Sequence, residues 1–311
     1  MRLGNAGGRV VRWDNTSARW TDDLGDDVPD SVVELLAEPQ ASAGPPLIRP
    51  AEANQLVPSG LPFQPRSLRG VMVSEPHYVR GARTMVRRFM PAPVGAFIRG
   101  YEAITRSTFP ALKPPQRFYE EPAFYLANHL GVIPDGTPVR YPAACRYRDF
   151  ELELGAIVTT AWDTASQGLP TAADVIGAFT VINDFSARDL QWADERGGAF
   201  SGIQKAKSFA TGMAATIVTA DEVLPRVDQV TGRVRVNGDV WCEGSTAGGI
   251  FSLDEIVAHI ARDERLIPGE VISLGTLPGC CGLELDRFVQ PGDEIMLELD
   301  GIGTLTNPVA A

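Results

Sequence analysis

Glu151 and Glu153 stand two residues apart in Arg148-Asp-Phe-Glu-Leu-Glu-Leu-Gly155, and Asp184 lies in Asn183-Asp-Phe-Ser-Ala-Arg-Asp-Leu-Gln191. Residues two apart on a strand project to one face, so the glutamates would sit side by side and repel unless a positive charge separates them. A hard divalent cation resolves that repulsion through oxygen ligands. An exposed strand face with paired acids has the same spacing and needs no cation, so spacing alone leaves both readings open. Asp184 follows the apolar run Val175 to Ile182, which marks it as the point where a buried segment emerges. On a helical turn, Arg188 and Gln191 would share its face and bring a carboxylate, a guanidinium and an amide together. The Asp-Arg spacing is also that of ordinary structural salt bridges.

Other segments offer complementary chemistry. Lys205-Ala-Lys-Ser-Phe209 places lysines in a small, apolar stretch. A lysine there can present a fixed positive charge to a developing enolate, although most lysines simply face solvent. In Pro268 to Gly279 a strand is expected to end in a glycine-bounded turn that displays Thr276, whose hydroxyl and neighbouring amides could hold a carboxylate. The histidines are His77, His129 and His259. His77, in Ser74-Glu-Pro-His-Tyr78, is the candidate general base, because activating water near neutral pH needs a group that titrates there.

The elements that must position these residues are short. Strands are expected at Ala156 to Thr159, Thr216 to Thr219, Arg233 to Val236, Val271 to Leu274 and Glu294 to Leu299, cut by Gly and Pro. Capping signals, Thr171 with Asp174 and Ser252 with Glu255, each open a helix before an apolar run, and Ser31 with Glu34 opens a shorter one. Asn237-Gly238 and Pro291-Gly-Asp293 read as tight reversals. The class is α+β, mainly β. Residues 1–60 read as a small N-terminal domain or arm with a Pro-rich linker at 41–46, and 61–311 as the main domain. The Pro-rich zone from Pro91 to Pro115 reads as a long loop, a lid or an oligomer contact.

With 311 residues, 44% of them hydrophobic, the chain has material for a large core. Its 28 Lys+Arg against 39 Asp+Glu give a net charge of -11, which disfavours nucleic acid or an anionic membrane as partner. A small anionic substrate would then need a metal or local cations. The chain shows neither a signal-like start nor an apolar run of membrane-spanning length, which predicts a cytoplasmic protein. Cys145, Cys242, Cys280 and Cys281 have no CxxC spacing, which fits a reducing compartment. The adjacent pair reads as small packed residues.

Taken together the segments resemble the fumarylacetoacetate hydrolase family. Five motifs occur in the family's order: Ser67-Leu-Arg with Glu75-x-His77, Asp149 to Gly155, Asn183 to Gln191, Lys205 to Phe209, and Leu266-Ile-Pro-Gly-Glu through Gly275-Thr-Leu-Pro-Gly-Cys-Cys. The resemblance runs from about Leu61 to Pro308 and implies a mixed β-roll, a homodimer and a divalent ion held by Glu151, Glu153 and Asp184. That ion is expected to be Mg²⁺, with Mn²⁺ or Ca²⁺ as alternatives. It further implies that Lys207, Arg188 and Gln191 stabilise negative charge on the substrate and that Tyr125 and Thr276 help to hold its carboxylate. His77 would activate water and Glu284 would orient His77.

The implied reaction is hydrolysis of a C–C bond in a 1,3-diketo acid, an acylpyruvate or fumarylacetoacetate-like keto acid. The alternative is an isomerase, decarboxylase or hydratase acting on a 2-oxo or enol acid on the same scaffold. Gly70 departs from the family pattern, in which an Asp can serve as a further metal ligand. Val71, Met72 and Ser74 replace aromatic positions, which changes the pocket wall. A catalytically silent scaffold is the third reading, and Gly70 is its support.

Overall fold

Leu152, Leu154, Ala156 and Val158 alternate with Glu151, Glu153, Gly155 and Ile157 along one strand, and all of them are buried. That single strand fixes the architecture, because both of its faces must be covered. The computed structural model describes residues 1–311 except 8, 23, 25–30, 38–56, 198–202 and 204, so the linker expected at 41–46 lies outside the described residues.

In chain order, a meander of β1 (Arg2–Ala6), β2 (Arg9–Asp14) and β3 (Arg19–Thr21) precedes α1 (Val32–Ala37). Next come β4 (Ser67–Met72), α2 (Glu75–Phe89), α3 (Ala92–Thr105), β5 (Ala123–Leu126) and β6 (Val132–Pro134). The middle holds β7 (Arg148–Asp149), β8 (Glu151–Val158), β9 (Trp162–Asp163), α4 (Thr164–Gln167), α5 (Ala172–Val175), β10 (Ile176–Asn183), β11 (Ser186–Ala187) and α6 (Arg188–Arg196). Then follow β12 (Thr211–Met213), β13 (Thr216–Thr219), α7 (Ala220–Val223), β14 (Thr231–Val236), β15 (Asp239–Ser245) and α8 (Leu253–Ala261). The chain closes with β16 (Arg265–Leu266), β17 (Glu270–Cys281), α9 (Gly282–Leu285), β18 (Glu294–Leu299) and β19 (Gly303–Pro308).

Among the described residues the main sheet has 11 strands, in the order β3-β2-β1-β13-β10-β8-β17-β4-β5, with β12 and β6 attached beside β10. A second sheet runs β15-β14-β18-β19. The expected α+β, mainly β class is what the structure shows. One core lies between the sheets and joins Leu152, Leu154, Phe179 and Val181 to Val234, Leu297 and Leu305. The opposite face of the main sheet packs Ile157, Ile182 and Ile217 against Leu3, Val10, Val32 and Val33. Truncating a leucine such as Leu152 to Ala would cost roughly 2–5 kcal/mol. The described N-terminal strands extend the main sheet, with Leu3 opposite Ile217 on β13.

The sequence expectations fare unevenly. The five expected strands form, as does the Ser252 capping box that opens α8. Asn237 and Gly238 both take positive φ and join β14 to β15. Two expectations need correction. The Thr171 capping box forms, but its helix stops after one turn because the apolar residues beyond it pair as β10 with β8. The zone Pro91 to Pro115 is largely helix, not a long loop: α3 fills Ala92–Thr105. Pro91 is its N-cap and Pro93 lies in its first turn, where a missing N–H costs nothing.

Candidate active site

β8 lies between β10 and β17, and these three strands build the site. Asp184 leaves the end of β10, and its N–H donates to the Glu151 carbonyl at 3.2 Å. β17 runs antiparallel to β8 with irregular register, so that Thr276 stands opposite Glu153 and Cys281 opposite Glu151. Gly275, with φ of 85°, permits that irregularity; a Cβ there would lie 2.5 Å from the Val71 carbonyl oxygen. Ligand atoms of Glu151, Glu153 and Asp184 all fall within 4.8 Å of one another, and all three residues are buried. The exposed-face reading of the paired glutamates is thereby set aside: each is 3% exposed.

Each acid has a distinct partner set. The Lys207 ammonium bridges Glu151 and Asp184, at 2.6 Å from Asp184 Oδ2. The Tyr125 hydroxyl also donates to Asp184 Oδ2. Glu153 accepts from the Ser273 hydroxyl and, at 3.3 Å, from Thr276 Oγ1. Arg188 reaches Glu151 at 2.6 Å, Asp149 at 2.6 Å and Gln191 Oε1 at 2.7 Å. Gln191 in turn donates to Glu195 at 2.8 Å.

His77 sits in the first turn of α2, where Ser74 caps the helix by accepting from the His77 N–H at 3.2 Å. Its Nδ1 lies 2.7 Å from Glu284 Oε1, and its Nε2 lies 3.7 Å from Glu151 Oε1. Glu284 is fixed independently by the Gly279 N–H at 2.9 Å. The structure therefore brings Tyr125, Lys207, Arg188, Gln191, Thr276, His77 and Glu284 around the three acids, whereas Lys205 is exposed. One detail differs: α6 begins at Arg188, so Asp184 does not share a helical face with Arg188 and Gln191. Its position comes from the β10 end instead, and Arg188 pairs with Asp149 and Glu151.

Three contributors escape sequence reasoning. Asp149 is fully buried and accepts from Gly282 N, Leu283 N, Phe150 N and Arg188 Nε at 2.6–2.8 Å. One carboxylate thus ties the Arg188 side of the site to the segment carrying Glu284. Ser273 and Cys281 are the others; the Cys281 sulfur lies 3.9 Å from His77 Nδ1. Their partners are remote in sequence, and the available signal is that Asp149 and Cys281 lie inside motifs.

The electrostatics follow from burial. For Glu151, burial favours the neutral acid, but Lys207, Arg188 and His77 overcome it and hold the carboxyl far below its usual range. Glu153 is held by hydroxyls, so burial and then the charges of Asp184 and Glu151 push it well above that range. Burial also raises Asp184, against the pull of Lys207. Burial opposes charge on Lys207, yet Asp184 and Glu151 keep its pKa above the ordinary lysine value. Tyr125 is raised by burial and by Asp184 and remains a protonated donor.

A divalent cation fits this donor set. Among the described residues, Asp149, Glu151, Glu153 and Asp184 face Arg188 and Lys207 as buried cations, so the carboxylates are in excess. Asp184 Oδ1 is a buried acceptor without a partner among the described residues. Buried, clustered carboxylate oxygens are the ligands that hard cations take. At Gly70, where the family pattern has an Asp, an added Cβ would lie 2.4 Å from the Tyr125 ring.

Comparison with known proteins gives a family and a fold. The family described as "Fumarylacetoacetate (FAA) hydrolase C-terminal" matches residues 97–310. An uncharacterized protein of Staphylococcus saprophyticus subsp. saprophyticus is 36% identical over 163 residues, 52% of this chain and 52% of that protein. A Staphylococcus aureus (strain USA300) protein, also uncharacterized, is 34% identical over the same length. The chain spans about half the length of the curated relatives it matches. Among solved structures, a putative HpcE protein from Mycobacterium smegmatis aligns with a TM-score of 0.67 at 22% identity, covering 100% of this chain and 99% of that one. A 5-carboxymethyl-2-hydroxymuconate delta-isomerase from the same organism gives 0.63 at 21% identity, covering 100% and 98%. Fumarylacetoacetate hydrolase from psychrophilic Exiguobacterium antarcticum gives 0.63 at 20% identity, covering 99% and 98%. At these identities the likeness is one of fold.

Proposed function

Because the chain belongs to the fumarylacetoacetate hydrolase family, we propose that it is a divalent-metal-dependent hydrolase that cleaves a C–C bond in a 1,3-diketo acid such as an acylpyruvate. The observation that carries this reading is the His77–Glu284 pair at 2.7 Å, with His77 Nε2 turned toward the acid cluster. Glu284 accepts the Nδ1 proton and so fixes the tautomer in which Nε2 is the base. Nε2 then takes a proton from water, which adds to the ketone carbonyl. As the C–C bond breaks, the same proton is returned to the departing carbon, leaving a carboxylic acid and a 2-oxo acid.

Glu151, Glu153 and Asp184 would hold the cation, Mg²⁺ in this proposal. When bound, it supplies a Lewis acid for the dicarbonyl oxygens and a sink for the electron pair released on cleavage. Lys207 has a third N–H beyond the two given to Glu151 and Asp184, and this donor meets negative charge developing on the substrate. A preorganised donor of this kind contributes about 3–4 kcal/mol. Arg188 adds to that field while fixing Glu151, Gln191 holds Arg188 by accepting from it, and Tyr125 and Thr276 complete the seat for the substrate carboxylate.

A second reading, isomerisation, decarboxylation or hydration of a 2-oxo or enol acid, has its own support. Tyr125 is a protonated phenol on Asp184 and could deliver or hold a proton without water, and one structural relative is titled a delta-isomerase. Product analysis after incubation with an acylpyruvate and Mg²⁺ decides: two acids mean hydrolysis, whereas carbon dioxide or an isomer selects the second reading. The proposal also includes a cytoplasmic homodimer, and light scattering on the purified protein checks the dimer. Among the described residues no helix is long and apolar enough to cross a membrane.

A further inference from the structure

Beside the acid cluster lies a cavity of about 450 Å³, within the range of small-molecule sites. Its near wall belongs to the site already described. Thr276 lines the cavity and donates to Glu153, and Ser74 lines it while capping the helix that carries His77. Beyond them the wall is formed by apolar side chains including Val227, Phe251, Leu274 and Ile256.

The chemistry of that wall is one-sided. Among the described lining residues there is no Arg, Lys or His, and the one ionisable side chain is Asp228. The wall hydroxyls are engaged locally: Thr246 donates to the Val227 carbonyl at 2.7 Å and Ser252 caps α8. A carboxylate entering here would meet no cationic side chain and would face Asp228. An alkyl or aryl group would exchange water for apolar surface.

We propose that this cavity receives the acyl substituent of the substrate and that the substrate is therefore a monocarboxylic 2-oxo acid with an uncharged, apolar tail, not a dicarboxylic acid. This rests on the acid cluster being the seat of the keto-acid head group. Val73, Ser74 and the loop from 246 to 252 then set tail specificity.

The test separates binding from turnover. Calorimetry in Mg²⁺ measures the affinity of straight-chain 2-oxo acids of rising length and of their ω-carboxylate counterparts. Each added methylene is expected to tighten binding about threefold to fourfold until the cavity is filled. The ω-carboxylates should bind at least tenfold more weakly than the methyl-ended acids of equal length. Gln229→Arg, an exposed change at the rim, should narrow that gap. Affinity indifferent to chain length, or a preference for the ω-carboxylates, overturns the tail assignment. If chain-length dependence is present while acylpyruvates are not cleaved, the hydrolase reading fails and the tail assignment stands.

Discussion

Two buried charge clusters lie on neighbouring strands of the same sheet, and they are built to opposite ends. In one, Arg69 on β4 pairs with Glu270 on β17 and, at 2.8 Å, with Glu264. Glu270 also accepts from Ser67 Oγ at 2.7 Å and Ile267 N at 2.8 Å, so its carboxylate is fully occupied. The atom left over is a donor, Arg69 Nε. In the other, around Glu151, Glu153 and Asp184, carboxylates outnumber cations and the atom left over is an acceptor, Asp184 Oδ1. A paired cluster joins strands; an anionic one with an idle oxygen is a place for a cation.

That contrast can be broken experimentally, beginning with its strongest claim. Asp184→Ala should abolish Mg²⁺ binding in calorimetry and metal-dependent turnover, while circular dichroism shows the fold retained. Next, His77→Ala should leave metal affinity in place and lower hydrolysis about 10²–10⁴-fold. Hydrolysis at the parent rate would show that His77 is not the base. On the other cluster, Glu270→Ala leaves the Arg69 guanidinium only its contact with the half-exposed Glu264 and should cost up to about 3 kcal/mol in denaturant unfolding. Metal affinity measured on the same protein should stay close to that of the parent, and a large loss would mean that the clusters are one unit.

The smallest effect concerns pH. Burial, Asp184 and Glu151 raise the Glu153 carboxyl well above its ordinary value, so the folded protein retains a proton that the unfolded chain has lost. The associated stability is complete below the unfolded carboxyl pKa and is lost as pH rises through the raised folded value. A cation must displace that proton, so metal affinity should climb with pH, by at most about tenfold per unit for one proton. Melting curves with and without Mg²⁺ across that range should diverge as pH increases; parallel curves would show that Glu153 binds the ion without releasing a proton.

How much of this was readable beforehand depends on distance along the chain. The period-2 pairing of Glu151 and Glu153 is a local property of any strand, and it placed both acids on one face. That the face is buried was not readable, because the groups that cover it, His77, Arg188 and Lys207, come from elsewhere in the chain. The role of Asp149 was invisible for the same reason: its donors Gly282 N and Leu283 N lie 133 and 134 positions away. Helix α3 was missed on composition, since its prolines sit where a helix tolerates them. The N-terminal strands joined β13 through a pairing of Leu3 with Ile217 that no local pattern announces.

Gly70 and Tyr125 face each other directly across β4 and β5. Because the phenol ring already fills the volume that any side chain at position 70 would need, an acid there and a tyrosine reaching Asp184 are mutually exclusive designs. Redesign toward a four-carboxylate site therefore cannot proceed one residue at a time: Gly70→Asp alone should jam the strand pair, and Tyr125→Ala alone should leave a hole. Only the double change restores packing, so the two positions must be exchanged together, with strongly non-additive energetics.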